Sequence, residues 1–331
     1  MAESPVVRVG AIRVRSHGGP DVLRHETLDV PPPGAGEVRV RHAAIGVNFI
    51  DTYHRTGLYP VPLPHGIGME AAGVVEAVGP GVTGLRAGDR VAYGGGPLGA
   101  YAEARLIPAD RVVKLPDAIP DKIAAAMMLQ GMTAHYLLRR TYRVKAGETI
   151  LIHAAAGGVG LIACQWAKAL GATVIGTVGS PEKAELARAH GCDHPVLYRS
   201  EDFVARVKEI TGGEGVPVVY DSVGKDTFFR SLDCLKPLGM MVLFGQSSGP
   251  VPPIDLALLA QKGSLFVTRP TLMVYVAKRA DLEAAAAELF QVVTEGKVKI
   301  EVNQTYPLKD VARAHRDLEA RKTTGSTVLL P

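Results

Sequence analysis

Two hydrophobic patterns divide this sequence, and they predict two kinds of structure. Up to about Pro120, apolar and polar residues alternate in short runs such as VVRVGAIRV and EVRVRHAAIGV, which are typical of half-buried β-strands. Loops rich in glycine and proline, such as Pro31-Pro32-Pro33-Gly34, separate these runs. The first part of the chain is therefore predicted to be β-rich, with a small barrel-like fold.

After Asp121, helical spacing appears, and strands then alternate with helices. DKIAAAMMLQGMTAHYLLRR is predicted to be helical, and ETILIHA, at residues 148–154, has the continuous apolar character of a buried parallel strand. Further β–α units follow in ATVIGTVG, SPEKAELARAHG, DHPVLY, EDFVARVKEITG, VPVVYDSV, the helix DTFFRSLDCLKPLG and the strand MMVLFG. This alternation predicts an α/β fold with a doubly wound parallel sheet. The tail from about Tyr275 breaks the rhythm and is predicted to complete the first domain, which gives boundaries of 1–128, 129–272 and 273–331.

Composition narrows the class of protein. The 331 residues favour two domains, and 47% apolar with 21% charged residues is typical of a globular protein. The net charge of +4 comes without a Lys/Arg block, so nucleic acid is not an expected partner. We expect neither a signal peptide nor a membrane span, because no long apolar run occurs. Three widely spaced cysteines are expected to be reduced and buried, as in a cytoplasmic protein.

The segment HAAAGGVG, residues 153–160, joins a predicted buried strand to a predicted helix. In this position Gly157 lets the backbone approach a pyrophosphate, while Gly160 lets the helix pack closely against the strand. Ala155 replaces the first glycine of the G-x-G-x-x-G pattern, and an ordinary strand-to-helix turn is the alternative. The context favours dinucleotide binding, with cofactor contacts from Ala156, Gly157, Gly158 and Val159.

The residues at the end of the second strand of this β–α series indicate which dinucleotide binds. An NAD site places an acid there for the ribose hydroxyls, whereas this strand ends in Gly179-Ser180. Ser180 is predicted to cap the next helix, which brings Lys183 into its first turn. A lysine there opposes the helix dipole unless an anion such as a 2′-phosphate is close, so we predict NADPH as the cofactor, the alternative being a solvated lysine. Residues at other strand ends are predicted to contact the same cofactor, namely Tyr198, Ser222, Phe244 and Gln246.

Several motifs together resemble one superfamily over nearly the whole chain. They are VNFIDTYHRTGLYP (47–60), GMEAAGVV (68–75), HAAAGGVG, VVYDSVG (218–224), LFGQSSG (243–249) and QKGSLFVTRP (261–270). The chain resembles the medium-chain dehydrogenase/reductase superfamily, and within it the zinc-free NADPH:quinone oxidoreductases related to ζ-crystallin. The resemblance implies a GroES-like catalytic domain, a Rossmann domain, and a cofactor cleft between them.

The same resemblance argues against a metal. The zinc alcohol dehydrogenases of this superfamily hold a catalytic zinc with a Cys and a Gly-His-Glu motif. Here Asn48 corresponds to the Cys, and the second motif reads Gly68-Met69-Glu70, in which Met69 is a poor zinc ligand. The first domain also contains no cysteine for a structural zinc lobe. We therefore predict no metal site.

The resemblance implies roles for particular side chains. Asn48, Asp51 and Tyr53 form the implied catalytic set, in which Asn48 and Tyr53 contact the nicotinamide end and the substrate oxygen. Tyr53 as a packing aromatic is an equal alternative, and His54 is a second candidate for proton donation. The resemblance also places Tyr59, Thr133 (in a Gly-Met-Thr turn) and Arg321 at the cofactor.

The predicted activity follows from the absence of a Lewis acid. A quinone accepts a hydride without metal activation, so the protein supplies mainly proximity and orientation. The first hypothesis is an NADPH-dependent quinone reductase acting on a small-molecule quinone. The alternatives are reduction of activated C=C bonds, as in enones or alkenals, and a non-enzymatic NADPH-binding protein with a structural or RNA-binding role. The β-branched segment SLFVTRP, residues 264–270, is expected to be an exposed edge strand that forms a homodimer, the alternative being a strand covered within the same chain.

Overall fold

The computed structural model describes residues 5–331, and contacts divide the chain into two units. Unit 1 contains the chain up to Met132 together with Tyr275–Thr294 and Ile300–Pro331. Unit 2 contains Thr133–Val274 and Glu295–Lys299. The boundaries after residues 128 and 272 stay predictions of where the domains divide.

The strands and helices are numbered here along the chain. The strands are β1 Val7–Val14, β2 Leu23–Val30, β3 Glu37–Val47, β4 His65–Gly66, β5 Glu70–Val78, β6 Arg90–Gly94, β7 Ala104–Pro108, β8 Val113–Lys114, β9 Thr149–Ile152, β10 Thr173–Val178, β11 His194–Leu197, β12 Val216–Asp221, β13 Leu235–Leu243, β14 Phe266–Thr268, β15 Val302–Pro307 and β16 Ser326–Leu330. The α-helices are α1 Phe49–Thr56, α2 Asp121–Ala124, α3 Met128–Tyr136, α4 Gly158–Ala169, α5 Pro181–Ala189, α6 Phe203–Ile210, α7 Phe228–Leu232, α8 Ala257–Gln261, α9 Leu272–Tyr275, α10 Arg279–Thr294 and α11 Val311–Glu319. A π-helical turn follows α3 at Leu137–Thr141.

Unit 1 is built on largely antiparallel sheets, as the alternating pattern predicts, with β15 and β16 paired in parallel at one edge. A seven-stranded sheet has the order β15-β16-β3-β5-β6-β8, with β7 also paired to β3, and a three-stranded sheet has the order β2-β1-β4. Strand β16 from the tail pairs with β3 in the register Val328 to Gly46. The alternate residues Val38 and Val40 of β3 are completely buried in the apolar core of this unit.

Unit 2 contains a six-stranded parallel sheet in the order β11-β10-β9-β12-β13-β14. Counted within the unit, this is the 3-2-1-4-5-6 order of a doubly wound dinucleotide-binding sheet, and the predicted fold class is confirmed. The order reverses between β9 and β12, which are direct neighbours. Ligands of such sheets bind outside the carboxyl ends of the strands at this reversal.

Three local predictions differ from the structure. The segment after Asn48 forms helix α1 inside the part predicted to be β-rich, because Asp51 accepts the Asn48 N–H and begins the helix. Helix α7 ends at Leu232, and β13 then begins before Pro237, since a proline is incompatible with a helix interior. Strand β9 ends at Ile152, two residues earlier than predicted.

The cysteines and the helices agree with two expectations from composition. All three cysteines, Cys164, Cys192 and Cys234, are free and buried. Among residues 5–331, none of the helices combines the length and the apolar character needed to cross a membrane.

Candidate functional site

The predicted site residues divide between the two units. In unit 2, β9 leads into a turn over residues 153–157, and α4 begins at Gly158. The N–H of Gly157 donates to the carbonyl oxygen of Ala154 over 3.0 Å, and Ala154 has a φ of 55°. The first N–H groups of α4 have no carbonyl partner within the helix. The turn predicted to hold a diphosphate therefore presents the N-terminus of a buried helix.

The glycines of this turn have different roles. A Cβ on Gly160 would lie 2.2 Å from the carbonyl oxygen of Ala154 and 2.8 Å from the carbonyl carbon of Ala155, both of which are backbone atoms. Gly160 is therefore required for the close packing of α4 against the turn. A Cβ on Gly157 would meet the oxygen of Ala154 at 3.3 Å, a much milder contact. The fold therefore requires a residue without a side chain at position 160 but not at position 157.

The carboxyl end of β10 brings together four residues predicted to contact the cofactor. The Ser180 hydroxyl accepts the N–H of Lys183 over 3.3 Å, which confirms the predicted cap of α5. A Cβ on Gly179 would lie 2.9 Å from the Tyr198 hydroxyl, so this phenol stands directly over the glycine. Tyr198 is 37% exposed, so part of this residue is accessible to a ligand. No acid occupies the end of this strand, where an NAD site has a carboxylate, and the first turn of the helix that follows contains both Glu182 and Lys183.

The predicted residues after β12 and β13 lie on two loops that touch each other. The carboxylate of Asp221 accepts the N–H of Gly224 over 3.1 Å, and the N–H of Phe244 donates to the carbonyl oxygen of Asp221 over 2.8 Å. A Cβ on Gly224 would lie 3.0 Å from Cα of Gln246. The structure therefore brings Ser222, Phe244 and Gln246 together at one edge of the sheet.

Sequence reasoning missed His153, which is buried beneath the glycine turn. Its Nδ1 lies 2.8 Å from the Thr177 hydroxyl and its Nε2 lies 2.8 Å from the Ser231 hydroxyl. Because Ser231 donates to the carbonyl oxygen of Thr227, its oxygen accepts from Nε2–H, and Nδ1 accepts from Thr177. Burial lowers the pKa of His153 and keeps it neutral. A polar residue inside an apolar strand was the signal available in the sequence.

In unit 1, the side-chain amide of Asn48 is held between two buried partners. Its Nδ2 donates to Oε2 of Glu70 over 2.6 Å, and its Oδ1 accepts from Nε2 of Gln130 over 3.2 Å. Oε1 of Gln130 in turn accepts from the Ser326 hydroxyl over 2.7 Å. Neither Glu70 nor Gln130 was predicted, although Glu70 lies within the GMEAAGVV motif. A glutamate at the head of an apolar strand was the signal that could have found it.

Asp51 lies at the same helix start and is completely buried. Its Oδ2 accepts the backbone N–H of Asn48 over 2.9 Å and the hydroxyl of Tyr101 over 2.7 Å. Burial raises the pKa of Asp51 to about 7, and these two hydrogen bonds oppose that rise. The structure therefore brings Asn48 and Asp51 together and adds Tyr101, which the sequence did not indicate.

Aromatic rings surround the end of α1. The ring centroid of Tyr53 lies 5.6 Å from that of Phe49 and 5.1 Å from that of Tyr59, so two predicted residues are packed together. His54 lies 5.9 Å from Tyr59 by the same measure. Burial lowers the pKa of His54 to about 4, which makes it neutral at pH 7 and a poor source of protons. The roles of Tyr53 and Tyr59 stay predictions.

Thr133 lies in a different local structure from the one predicted, whereas for Arg321 only a cofactor contact was predicted. Thr133 is buried within helix α3, so the predicted Gly-Met-Thr turn is wrong: α3 runs through it. Arg321 is exposed in the turn after α11 and has a left-handed φ of 58°. Their assignment to the cofactor stays a prediction.

The positions that hold zinc in related dehydrogenases contain other chemistry here. Asn48 is bonded to Glu70, and the neighbouring Met69 is buried. Within residues 5–331, no group of three or more His, Cys, Asp or Glu side chains is arranged to hold a metal ion. The absence of a metal from the reaction stays a prediction.

The domain pair defines a class of protein. An antiparallel β-domain joined to a parallel sheet of this order is the architecture of the medium-chain dehydrogenases and reductases. Residues 34–117 match the alcohol dehydrogenase GroES-like domain family, and residues 158–291 match the zinc-binding dehydrogenase family.

Comparison with individual proteins narrows the class. The chain is 57% identical over 321 residues to a quinone oxidoreductase of Pseudomonas aeruginosa, covering 97% of this chain and 99% of that one. It is 50% identical to a 2-haloacrylate reductase of a Burkholderia species, covering 98% and 99% of the two chains. The crystal structure of Escherichia coli quinone oxidoreductase complexed with NADPH matches with a TM-score of 0.96 at 54% identity, covering 97% of this chain and all of the other. The chain belongs to the quinone oxidoreductase family.

Glu70 is a buried carboxyl group of unit 1 whose pKa is strongly shifted by its burial. Burial raises its pKa from 4.5 to about 8, against hydrogen bonds donated by Asn48 and by the N–H of Leu129. The folded protein therefore keeps a proton that the unfolded chain releases above pH 4.5. The stabilising contribution is complete below pH 4.5 and is lost as the pH rises to about 8.

We expect Glu70→Gln to remove this part of the pH dependence, because an amide cannot ionise. As the pH rises from 4.5 to about 8, the free energy of unfolding of the wild type should fall relative to that of the variant by on the order of 4 kcal/mol. The hydrogen bonds can adapt: Asn48 and Gln130 reverse their amides, and Ser326 donates to the carbonyl oxygen of Ala126, which lies 2.8 Å away.

Denaturant unfolding across this pH range measures the effect. Glu283→Gln, which neutralises an exposed carboxylate on α10 in the same unit, is the control. The slope of its free energy of unfolding against pH should equal that of the wild type. An equal slope in Glu70→Gln and the wild type would show that the buried carboxyl does not hold its proton.

Proposed function

We propose that this protein is an NADPH-dependent reductase of quinones. It transfers a hydride from the reduced nicotinamide to a small quinone, and the protein itself supplies binding, orientation and polar groups. The observation that carries the proposal is the surface at the end of β10, where Lys183 and Tyr198 lie beside a doubly wound sheet and the strand itself ends in Gly179-Ser180 without an acid. Family membership provides the activity, and this surface selects the phosphorylated dinucleotide.

The residues of unit 2 fit NADPH on chemical grounds. The N-terminus of α4 offers N–H donors and a positive dipole end to the pyrophosphate, and Gly157 lets the backbone approach it. Lys183 is a half-buried cation in the first turn of α5, next to the exposed Glu182, and both its charge and the positive end of the helix dipole attract an anion. We propose that the 2′-phosphate is that anion, with Gly179, Ser180 and Tyr198 beside it.

The residues of unit 1 are proposed to serve the reacting end. When bound, NADPH supplies the hydride. Asn48 is held rigidly from both sides, so it can orient a carbonyl or carboxamide group without rotating. Tyr53 is proposed to donate to the substrate oxygen, where negative charge develops. Asp51 completes the catalytic set, and its full burial favours an action through the Asn48 N–H that it accepts.

A second candidate function has one specific observation in its favour. The Burkholderia relative at 50% identity is named a 2-haloacrylate reductase, and haloacrylates carry an activated C=C bond. The same hydride geometry serves such a substrate, but a carbon must then be protonated, which places more demand on a proton donor.

Acceptor panels distinguish these functions. Purified protein is mixed with NADPH and either p-benzoquinone and naphthoquinones or enones and 2-haloacrylates, and the loss of NADPH absorbance is followed. We expect kcat/KM to be at least about tenfold higher for quinones, since hydride acceptance by a quinone requires no positioned acid. Higher values for the C=C acceptors would favour the second function, and NADPH binding without turnover on either panel would contradict both.

We also propose that the protein is a cytoplasmic homodimer. Strand β14 lies at the edge of the sheet in unit 2, and Phe266 and Val267 on it are 55% and 39% exposed. Edge-to-edge pairing with a second copy would cover both the unpaired backbone and these side chains. Light scattering should give the mass of two chains for the wild type and of one chain for Phe266→Lys. A monomeric wild type at micromolar concentration would contradict the proposal.

A further inference from the structure

A chain of buried polar groups runs from Asp51 through unit 1 to helix α11. The Tyr101 hydroxyl donates to Oδ2 of Asp51 over 2.7 Å, and its oxygen lies 3.1 Å from Nε2 of His315. Nδ1 of His315 lies 3.0 Å from Nη1 of Arg55. Asp51, Tyr101, His315 and Arg55 are all buried.

The chemistry of these groups allows one direction of donation. A guanidinium has donors and no acceptor, so Nδ1 of His315 must accept from Arg55. The neutral ring then carries its proton on Nε2 and donates to the Tyr101 oxygen. Since that oxygen accepts from His315, its own proton goes to Asp51. Arg55 therefore determines the direction of each hydrogen bond in this series, from His315 through Tyr101 to Asp51.

Arg55 is itself fixed from three sides. Its Nη1 and Nη2 donate to the two carboxylate oxygens of Glu319 over 2.9 and 2.6 Å, and its Nε donates to the carbonyl oxygen of Gly18 over 3.0 Å. Glu319 and His315 lie one turn apart on α11, so one helix holds both the counter-ion and the next group of the chain. Burial and the nearby Arg55 cation lower the pKa of His315 to about 3, which keeps the ring neutral.

The series of buried polar groups ends at the carboxyl group of Asp51, whose second oxygen is Oδ1. Oδ2 receives two donors, from Tyr101 and from the N–H of Asn48, whereas Oδ1 is buried without a hydrogen-bond partner among residues 5–331. The titratable groups that face Asp51 are Tyr101 and, from β5, Glu70, with His315 and Arg55 beyond Tyr101. The two oxygens of this carboxyl group are thus made unequal by their surroundings.

We propose that Arg55, His315 and Tyr101 are positioning residues of the quinone reductase site, which hold the Asp51 carboxyl, and with it the Asn48 end of α1, in one orientation. The inference rests on the proposed function only for its effect on turnover. The orientation of the Asp51 carboxyl group is a property of the folded protein, and it can be tested without substrate.

A second buried tyrosine–histidine pair in unit 1 provides a matched control. The Tyr93 hydroxyl lies 2.9 Å from Nε2 of His42, whose Nδ1 faces the carbonyl oxygen of Ala102. Here Nδ1–H donates to the carbonyl and Nε2 accepts from the tyrosine, the reverse of the order at His315. Tyr93→Phe and Tyr101→Phe therefore each remove one buried hydroxyl bonded to one histidine, but only Tyr101 leads to Asp51.

The test uses the full-length protein with carboxyl-labelled aspartate, and Asp51→Asn assigns the Asp51 resonance. Removing the Tyr101 hydroxyl takes away a bond that favours the ionised carboxylate, so Tyr101→Phe should raise the pH midpoint of this resonance by about one unit. His315→Leu should shift it in the same direction, while His315→Gln, which keeps a donor towards Tyr101, should restore most of the wild-type value. Tyr93→Phe should leave the midpoint unchanged.

Turnover is read separately. In Tyr101→Phe, kcat with p-benzoquinone should fall about tenfold, with the inflection of its pH profile moved upward, while the Kd for NADPH stays within about twofold of the wild type. Equal Asp51 midpoints in Tyr101→Phe and Tyr93→Phe would overturn the inference. A shifted midpoint in a protein that reduces no quinone would leave the inference standing and contradict the proposed function instead.

Discussion

Lys183→Glu is expected to weaken NADPH binding by about 100-fold or more and to change NADH binding by only a few-fold, because a charge-assisted bond to the 2′-phosphate becomes a repulsion. The residue lies in the first turn of α5, which begins at the carboxyl end of β10, where the Tyr198 hydroxyl lies over Gly179. NADH has a hydroxyl in place of the phosphate, so the change removes the preference without removing the rest of the site. Fluorescence titration with both nucleotides measures the two affinities.

Lys208→Glu is the matched control for Lys183. This lysine is exposed on α6 of the same unit, and the substitution changes the net charge by the same amount. Its affinities for NADPH and NADH should equal those of the wild type. If Lys183→Glu and Lys208→Glu weakened NADPH binding equally, the effect would be one of overall charge, and the phosphate would bind elsewhere.

Gly160→Ala is expected to be the most damaging single methyl group in unit 2. The new Cβ would lie 2.2 Å from the carbonyl oxygen of Ala154, a backbone atom of the turn against which α4 packs. The helix must move outward, which should lower the free energy of unfolding by roughly 2–3 kcal/mol. Because the N-terminus of the displaced helix is the proposed pyrophosphate site, the Kd for NADPH should also rise more than tenfold. Thermal unfolding and NADPH titration report the two effects.

Gly157→Ala separates binding from packing. Its Cβ would meet the oxygen of Ala154 at 3.3 Å, so stability should change by less than about 1 kcal/mol. The methyl group would nevertheless stand where the pyrophosphate is proposed to approach the backbone, and NADPH should bind roughly tenfold more weakly. Wild-type stability and wild-type NADPH affinity in Gly160→Ala would refute the packing argument. Unchanged NADPH affinity in Gly157→Ala would place the pyrophosphate away from this turn.

Much of unit 2 is readable from the sequence because its signals are local. Ser180 is followed by Pro181 and a lysine at the third helical position, and the structure contains that cap. The glycine turn follows a continuous apolar strand, and its helix begins at Gly158 as the spacing predicts. Each of these features depends on residues a few positions apart, where capping and turn chemistry act directly.

The interior of unit 1 is less readable because its partners are distant in sequence. Asn48 contacts Gln130, and Arg55 contacts His315 and Glu319 more than 250 residues later. No periodic pattern brings such side chains together; the sheet and α11 do so once the chain has folded. Helix α1 was missed although its start has a local signal, the capping pair of Asn48 and Asp51; its buried face depends on partners that are distant in sequence.

We expect this chain to reduce quinones with NADPH and without a metal. The direct measurement is anaerobic mixing of NADPH with p-benzoquinone and chelator-treated protein, following NADPH loss and hydroquinone formation against a protein-free control. NADPH loss and hydroquinone formation should proceed together well above the control rate, equally fast before and after chelation, and more slowly with NADH. NADPH loss no faster than in the control, or activity abolished by chelation and restored by zinc, would contradict this expectation.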